Sequence, residues 1–280
     1  MNIASNLADA ARSLDEAGVP DAARQAVSLM AFVLERPRSF LIAHPEYELT
    51  PTEQDAFSKA LSRRAAREPL QYITGHREFW GLDFEMAPGV LIPRPETEIL
   101  VEAAIEFLRE QQDPTFCELG IGSGCVSVSL LHSVPDARAV AVDIWPEAIE
   151  IAGRNAYRHG VRERLEICRS DLFSDIERIF DMVVSNPPYI PSADIGELEM
   201  EVRGFESPLA LDGGQDGLDV IRRLVGQSFD HLRPGGLLLI EIGHDQGDAV
   251  RKLFDRTVWN EPRFLNDLQG IPRVVSVARV

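Results

Sequence analysis

The sequence predicts an α/β chain: a mostly parallel sheet with helices on both faces, preceded by a small helical domain and a β-hairpin linker. Three observations lead there. From Thr115 onward, short apolar runs of strand character alternate with amphipathic stretches, the pattern of a sheet wound by crossover helices. Residues 1 to about 67 carry helical periodicity alone. Between them, Phe79, Leu82, Phe84 and Met86 surround Gly81 and stop at Ala87-Pro88-Gly89, a hairpin signature. The expected domains are 1–70 (helical, for binding a partner or gripping substrate), 71–92 (linker) and 93–280 (sheet). A chain of 280 residues can fill such bodies with core.

The elements follow in order. Leu7, Ala10, Ala11 and Leu14 form one apolar stripe, and Ala22, Ala23, Ala26, Val27, Met30, Val33 and Leu34 a second, with Asp21 placed to cap it. Thr50-Pro51-Thr52-Glu53 starts another helix with a cap, a first-position proline and a glutamate that closes a capping box. Pro95 opens a helix whose first turn carries Glu96 and Glu98, where acids complement the helix dipole, and Glu98 is expected to do no more than that. Strands are expected near 115–119, 138–143, 164–168, 180–185, 237–242, 257–265 and 273–280. Helices are expected near 124–133, 146–159, 217–231 and 244–255, with Asp216 and Asp219 capping the third. Residues 190–215 show no period; a loop that long is usually functional, and we expect a substrate-facing wall.

Composition narrows the function. A net charge of −17 disfavours broad nucleic-acid binding, which depends on neutralising phosphates. Cys117, Cys125 and Cys168 form no C-x-x-C pair, so neither a disulfide framework nor a zinc cluster is expected, and a reducing cytoplasm fits. Charged residues from Asp9 to Glu16 stand where a signal peptide would be apolar, and no run approaches a membrane span.

The chemistry is expected at Ser185-Asn186-Pro187-Pro188-Tyr189, directly after the buried-strand run Phe180–Val184. Two prolines fix successive φ angles and supply no N–H. The Asn186 oxygen and the Pro187 carbonyl then offer two fixed acceptors, enough to hold a planar –NH2 group in one orientation. Pro188 stiffens the turn, and Tyr189 adds a flat face that covers the amine and attracts a neighbouring cation. A plain proline turn capped by an asparagine reads equally well from these letters alone.

Three further features sit at the ends of the preceding strands. Gly120-Ile121-Gly122-Ser123-Gly124 follows the first strand; its G-x-G-x-G spacing is neither the dinucleotide fingerprint nor a phosphate loop, and a mere strand-to-helix turn reads equally well from it alone. Asp143 ends the second strand about twenty residues on, where a ribose-binding carboxylate belongs; it equally suits a cap for the helix beginning at Pro146. Asp171 follows the third strand, able to accept from an adenine amine with Leu172 against the ring, or to serve as a turn residue. Their order along one sheet edge suits a nucleoside whose reactive end is a sulfonium, S-adenosylmethionine, with no phosphate site required.

These residues resemble the HemK/PrmC family, the peptide chain release factor glutamine methyltransferases. The resemblance runs from about Pro69 to the C-terminus. It rests on Gln71–Gly75, the Ile92-Pro93-Arg94-Pro95-Glu96-Thr97-Glu98 block, Gly120–Gly124, Val184–Ile190, Ala210-Leu211-Asp212-Gly213-Gly214 and Asp267–Arg273. It implies a seven-stranded class I, Rossmann-like methyltransferase sheet behind a helical domain. It also implies methylation of the glutamine side-chain amide in the Gly-Gly-Gln motif of release factors. By position, Gly120–Gly124, Asp143, Leu172 and Asn186 would contact the cofactor, and Asn186–Tyr189 would hold the amide. The family usually has Asp where Glu118 stands, Thr where Ile121 stands, and Glu-Pro where this chain has Glu206-Ser207-Pro208. Glu118 is still able to receive a cofactor ammonium.

No Ser-His-Asp set or other activating constellation is visible among the six scattered histidines, and no metal site, so positioning is expected to carry the catalysis. The rival readings are a nucleic-acid amine methyltransferase, which would want a basic groove and stacking aromatics, a non-catalytic nucleotide-binding protein, and an NAD-dependent oxidoreductase, which the glycine spacing disfavours.

Overall fold

The computed structural model describes residues 1–280 as two compact units, Met1–His76 with Glu199–Phe205, and Arg77–Leu198 with Glu206–Val280. The first unit contains α1 (Ile3–Glu16), α2 (Ala22–Leu34), α3 (Arg38–Ala43), α4 (Pro51–Ala65) and α5 (Leu70–Thr74). The predicted stripes meet in one core that includes Leu14, Ala26, Met30, Phe57 and Ile73. Thr50 and Glu53 form the expected capping box. Asp21 does not cap α2: its backbone is left-handed, at φ 52°, and its side chain bonds no helix N–H. The segment Gln71–Thr74, expected in the linker, is helical. Glu201 lies within this unit because Arg64, itself buried, and Arg67 both bond its carboxylate, at 2.8 and 2.5 Å.

The hairpin pairs β1 (His76–Phe79) with β2 (Leu82–Glu85) through a two-residue turn, Trp80-Gly81, with both φ angles positive. Its strands pack with the sheet unit. Buried Asn155 accepts from Glu85 N and donates to the carbonyls of Glu85 and Ser123, joining hairpin to glycine loop. Glu98 departs from expectation: its Oε1 accepts the Trp80 N–H at 3.1 Å, so it anchors the hairpin turn as well as facing the helix dipole.

The chain continues through α6 (Thr97–Arg109), β3 (Thr115–Leu119), α7 (Cys125–Ser133), β4 (Arg138–Asp143), α8 (Pro146–Arg158), β5 (Leu165–Arg169) and β6 (Phe180–Ser185). Then come α9 (Met200–Phe205), α10 (Pro208–Leu211), α11 (Asp219–His231), β7 (Leu232–Glu241), α12 (Gly247–Arg251), β8 (Arg263–Asn266) and β9 (Pro272–Ala278). The seven strands run in the order β5-β4-β3-β6-β7-β9-β8, parallel except for β9, which is antiparallel to both neighbours. Side chains alternate across the sheet. Cys117 and Leu119 of β3 join a cluster with Ile221, Leu224 and Val225 of α11, while Glu118 between them bonds α7. Asp216 accepts from the Leu218 N–H and from Arg222 at the start of α11, but Leu218 holds the capping position and Asp219 is already helical. No helix is long and apolar enough to cross a membrane.

Candidate functional site

The strand order reverses at β3: β4 and β5 build outward on one side, β6 and β7 on the other. The carboxyl ends of strands beside such a switch point leave a crevice. Here it is a cavity of about 480 Å³ lined by Gly120 and Gly122 after β3, Asp143 from β4, Ser170–Leu172 after β5 and Asn186–Pro188 after β6. That volume lies in the range of small-molecule sites, about 300–1,000 Å³.

Asp143 organises the first wall. Its Oδ2 accepts the Gly122 N–H and its Oδ1 the Trp145 N–H, each at 3.0 Å. One carboxylate therefore holds the glycine loop and leads into α8, and each oxygen keeps a lone pair for a ribose hydroxyl. Burial raises its pKa, and those N–H bonds oppose the rise. Gly120 and Gly122 line the cavity with open space where a Cβ would stand. Ile121, Ser123 and Gly124 do not line it. Ile121 and Ser123 are buried, and a Cβ on Gly124 would lie 3.2 Å from both Cα and Cβ of Ala152 in α8. That third glycine serves helix packing. Glu118 is also absent from the lining. It is buried with its carboxylate on the Ser127 N–H at 2.9 Å, and burial pushes its pKa up to about 8. The expected contact with a cofactor ammonium thus has no geometry here.

After β5, Asp171 lines the cavity but its carboxylate is shared with Arg223, at 2.8 Å. Leu172 also lines the cavity, in a left-handed conformation at φ 52°, which is strained for a leucine. Ser170 donates to the Leu172 carbonyl at 2.9 Å and holds that turn.

After β6, Ser185 Oγ bonds the Leu119 carbonyl at 2.7 Å and ties the clamp strand to the glycine-loop strand. Asn186 is half-buried, and its Nδ2 donates to Thr97 Oγ1 at 3.3 Å; no group of the chain bonds its Oδ1. Pro187 and Pro188 line the cavity and Tyr189 does not. The Tyr189 hydroxyl donates to Glu241 Oε1 at 3.3 Å, and its carbonyl takes Gln246 Nε2 at 2.8 Å. Burial first, then the charge of Glu241, raise the phenol's pKa. The expected flat cover over the amine is therefore turned toward Glu241 in this state.

The 190–215 segment supplies the opposite wall through Pro208–Ala210 and Asp212–Gly214. Ile190 N–H to Leu211 O (3.0 Å) and Gly213 N–H to Ile190 O (2.8 Å) fasten it beside the clamp. Arg94 grips buried Glu206 through Nη2, at 2.7 and 2.9 Å, so the block before α6 reaches this wall. Sequence reasoning missed Gly89 and Trp145, which also line the cavity. A Cβ on Gly89 would stand 2.4 Å from the indole, a constraint invisible in a Pro-Gly turn read alone.

The lining suits S-adenosylmethionine. It offers carboxylates and carbonyls to hydroxyls and amines, and its single cationic residue, Arg223, is paired with Asp171, so nothing awaits a phosphate. No group of three or more His, Cys, Asp or Glu gathers where it could hold a metal ion.

Family models of the PrmC N-terminal domain and the methyltransferase small domain match residues 6–75 and 96–198. A release factor glutamine methyltransferase of Koribacter versatilis is 43% identical over 95% of this chain and 94% of its own length. One from Cereibacter sphaeroides is 41% identical over 99% and 98%. A methyltransferase of known structure from Pyrococcus furiosus shares the fold, with a TM-score of 0.54 at 18% identity over 79% of this chain and 98% of its own. With that agreement along nearly its whole length, the chain belongs to the release factor glutamine methyltransferase family.

Proposed function

We propose that this chain methylates the side-chain amide nitrogen of the glutamine in the Gly-Gly-Gln motif of peptide chain release factors, using S-adenosylmethionine. The observation that carries the reading is Asn186: it stands at the cavity with Oδ1 unpaired, next to Pro187, at the edge where Gly122 and Asp143 also meet. The cofactor supplies an electrophilic methyl group on a sulfonium.

An amide nitrogen is a poor nucleophile because its lone pair is delocalised, and no histidine, lysine or cysteine lines the cavity to activate it; the methyl replaces one of the two amide hydrogens, which leaves as a proton. Asn186 Oδ1 and the Pro187 carbonyl accept the two amide hydrogens and aim the nitrogen. Orienting two reactants contributes about 7–11 kcal/mol. Asp143 holds the ribose hydroxyls, the Leu172 turn bounds the adenine, and Asp171 reaches its amine from its pair with Arg223. The 208–214 wall excludes water from one side of the bound amide. The helical unit grips the release factor, and the setting is the cytoplasm, in keeping with three free cysteines.

Mass spectrometry of a release factor's Gly-Gly-Gln peptide, after incubation with enzyme and cofactor, should find one added methyl group on the glutamine. Asn186→Ala should lose about 100- to 1,000-fold in rate, as on deleting one preorganised polar group. An Asn186→Ala enzyme with most of its rate at saturating cofactor would overturn the clamp.

A further inference from the structure

Thr97 and Glu241 have no role in the reaction as derived so far, yet both stand behind the clamp. Thr97 opens α6 and is 1% exposed; Glu241 ends β7 and is 2% exposed. Thr97 Oγ1 accepts from Asn186 Nδ2. Its own hydrogen is then able to turn to the neighbouring Glu241 carboxylate, whose Oε2 is buried without a hydrogen-bond partner and whose pKa the Thr97 side chain lowers. The Tyr189 hydroxyl donates to Oε1 of the same carboxylate. Once ionised, above its pKa of about 7, that carboxylate only accepts, so both hydroxyl hydrogens are drawn to it and Thr97 is left offering a lone pair.

That lone pair matters because a carboxamide keeps its shape when turned through a half circle. Turned one way, Asn186 shows an oxygen to the cavity; turned the other, it shows an amine. Only the first can accept a hydrogen from a substrate amide. Nothing in the shape of the Asn186 pocket need distinguish the two, but an acceptor at Thr97 does.

We propose that Thr97, held by Glu241, is a positioning residue that fixes the orientation of Asn186 so that Oδ1 faces the substrate amide. The proposal rests on the clamp reading above. It makes the Arg-Pro-Glu-Thr-Glu block part of the site through its threonine, with Glu241 acting at one remove.

The test uses Thr97→Val, which keeps the shape and loses the hydroxyl, and Thr97→Ser, which keeps the hydroxyl. Each is made alone and with Asn186→Ala, in the full-length enzyme with a release factor as substrate. Thr97→Val should lower kcat about 10- to 100-fold, with S-adenosylhomocysteine binding by calorimetry changed less than about twofold, as for loss of a group acting on the reacting amide alone. Thr97→Ser should stay within about threefold of wild type, and Thr97→Val should add less than about twofold to Asn186→Ala, since residues acting through one another are not additive. Full kcat in Thr97→Val beside an impaired Asn186→Ala would overturn this proposal and leave the clamp standing. An active Asn186→Ala would sink the clamp itself. The same loss in both backgrounds would show that Thr97 does not act through Asn186. A second measurement needs no variant: NMR of the wild-type enzyme should place the Asn186 side-chain NH2 protons next to the Thr97 side chain, and their absence there would overturn the assignment.

Discussion

Gly122 and Gly124 stand two residues apart in one loop, and the structure assigns them different physical jobs, which alanine substitution should separate. Both have positive φ, 53° and 82°, so an alanine at either site pays roughly 1–2 kcal/mol for left-handed backbone. At Gly122 no atom lies within 4 Å of the added Cβ, and the position lines the cavity. At Gly124 the Cβ meets Ala152 Cα and Cβ at 3.2 Å, and a backbone carbon cannot swing aside as a flexible side chain can. Forcing α7 from α8 adds about 1–3 kcal/mol of overpacking. Gly124→Ala should therefore cost about 2–5 kcal/mol and lower Tm by roughly 4–20 °C, at 2–4 °C per kcal/mol for a unit of this size. Gly122→Ala should lower Tm by only about 2–8 °C but weaken S-adenosylhomocysteine binding at least about tenfold, since its methyl group enters the cradle. Thermal melts and calorimetry on the two proteins check this. If Gly124→Ala melted like wild type, or if the binding loss were confined to Gly124→Ala, the division of labour would be wrong.

Two other predictions concern buried charge. Glu118 keeps its proton to about pH 8 when folded, against 4.5 for the ordinary carboxyl, so its contribution is whole below about pH 4.5 and is lost as the pH climbs through 8; Glu241, raised to about 7, acts in the same sense. Between pH 5.5 and 8.5 stability should fall by a few kcal/mol in wild type and by less in Glu118→Gln, read from denaturant midpoints, and equal slopes in the two proteins would refute it. Arg94→Ala leaves the Glu206 carboxylate buried without its cation and should destabilise by about 2–4 kcal/mol, less than a fully enclosed pair because Arg94 is partly exposed. Adding Glu206→Gln should recover part of that loss in the same melts, and a double variant as unstable as the single would refute the pairing.

The parallel sheet was legible because β3, β4, β6 and the second half of β7 are apolar runs with turn residues between them, as strands covered on both faces are; the edge strand β5, with Glu166 and Arg169 exposed, shows this least. The hairpin was legible from four apolar residues about Gly81, and the capping box of α4 from its letters. What stayed hidden were bonds closed by distant residues. Asp21 looks like a cap, but its backbone turned left-handed and took the side chain off the helix end. Glu98 looks like a dipole match until the Trp80 N–H arrives from eighteen residues away. Asp143 was open between ribose ligand and helix cap; the structure has it lead into α8 and hold Gly122, while leaving lone pairs for a ligand. The cap reading misses by position, because Trp145 itself holds the capping position and no side chain caps α8.

The glycine loop carries the same point into the chemistry. Five consecutive letters were read as one cofactor-binding device, yet the chain uses them on two sides of a thin layer. Gly120 and Gly122 line the cavity, while Ile121 and Ser123 are buried outside its lining and Gly124 packs against α8. That also explains how isoleucine can stand where the family usually has threonine: Ile121 is 2% exposed, in a place that rewards an apolar side chain. The clamp obeys the opposite rule. Two prolines remove the backbone freedom that would let Asn186 choose its side, and the remaining freedom, the turn of one amide, is left to Thr97 and Glu241 from elements far away in the chain.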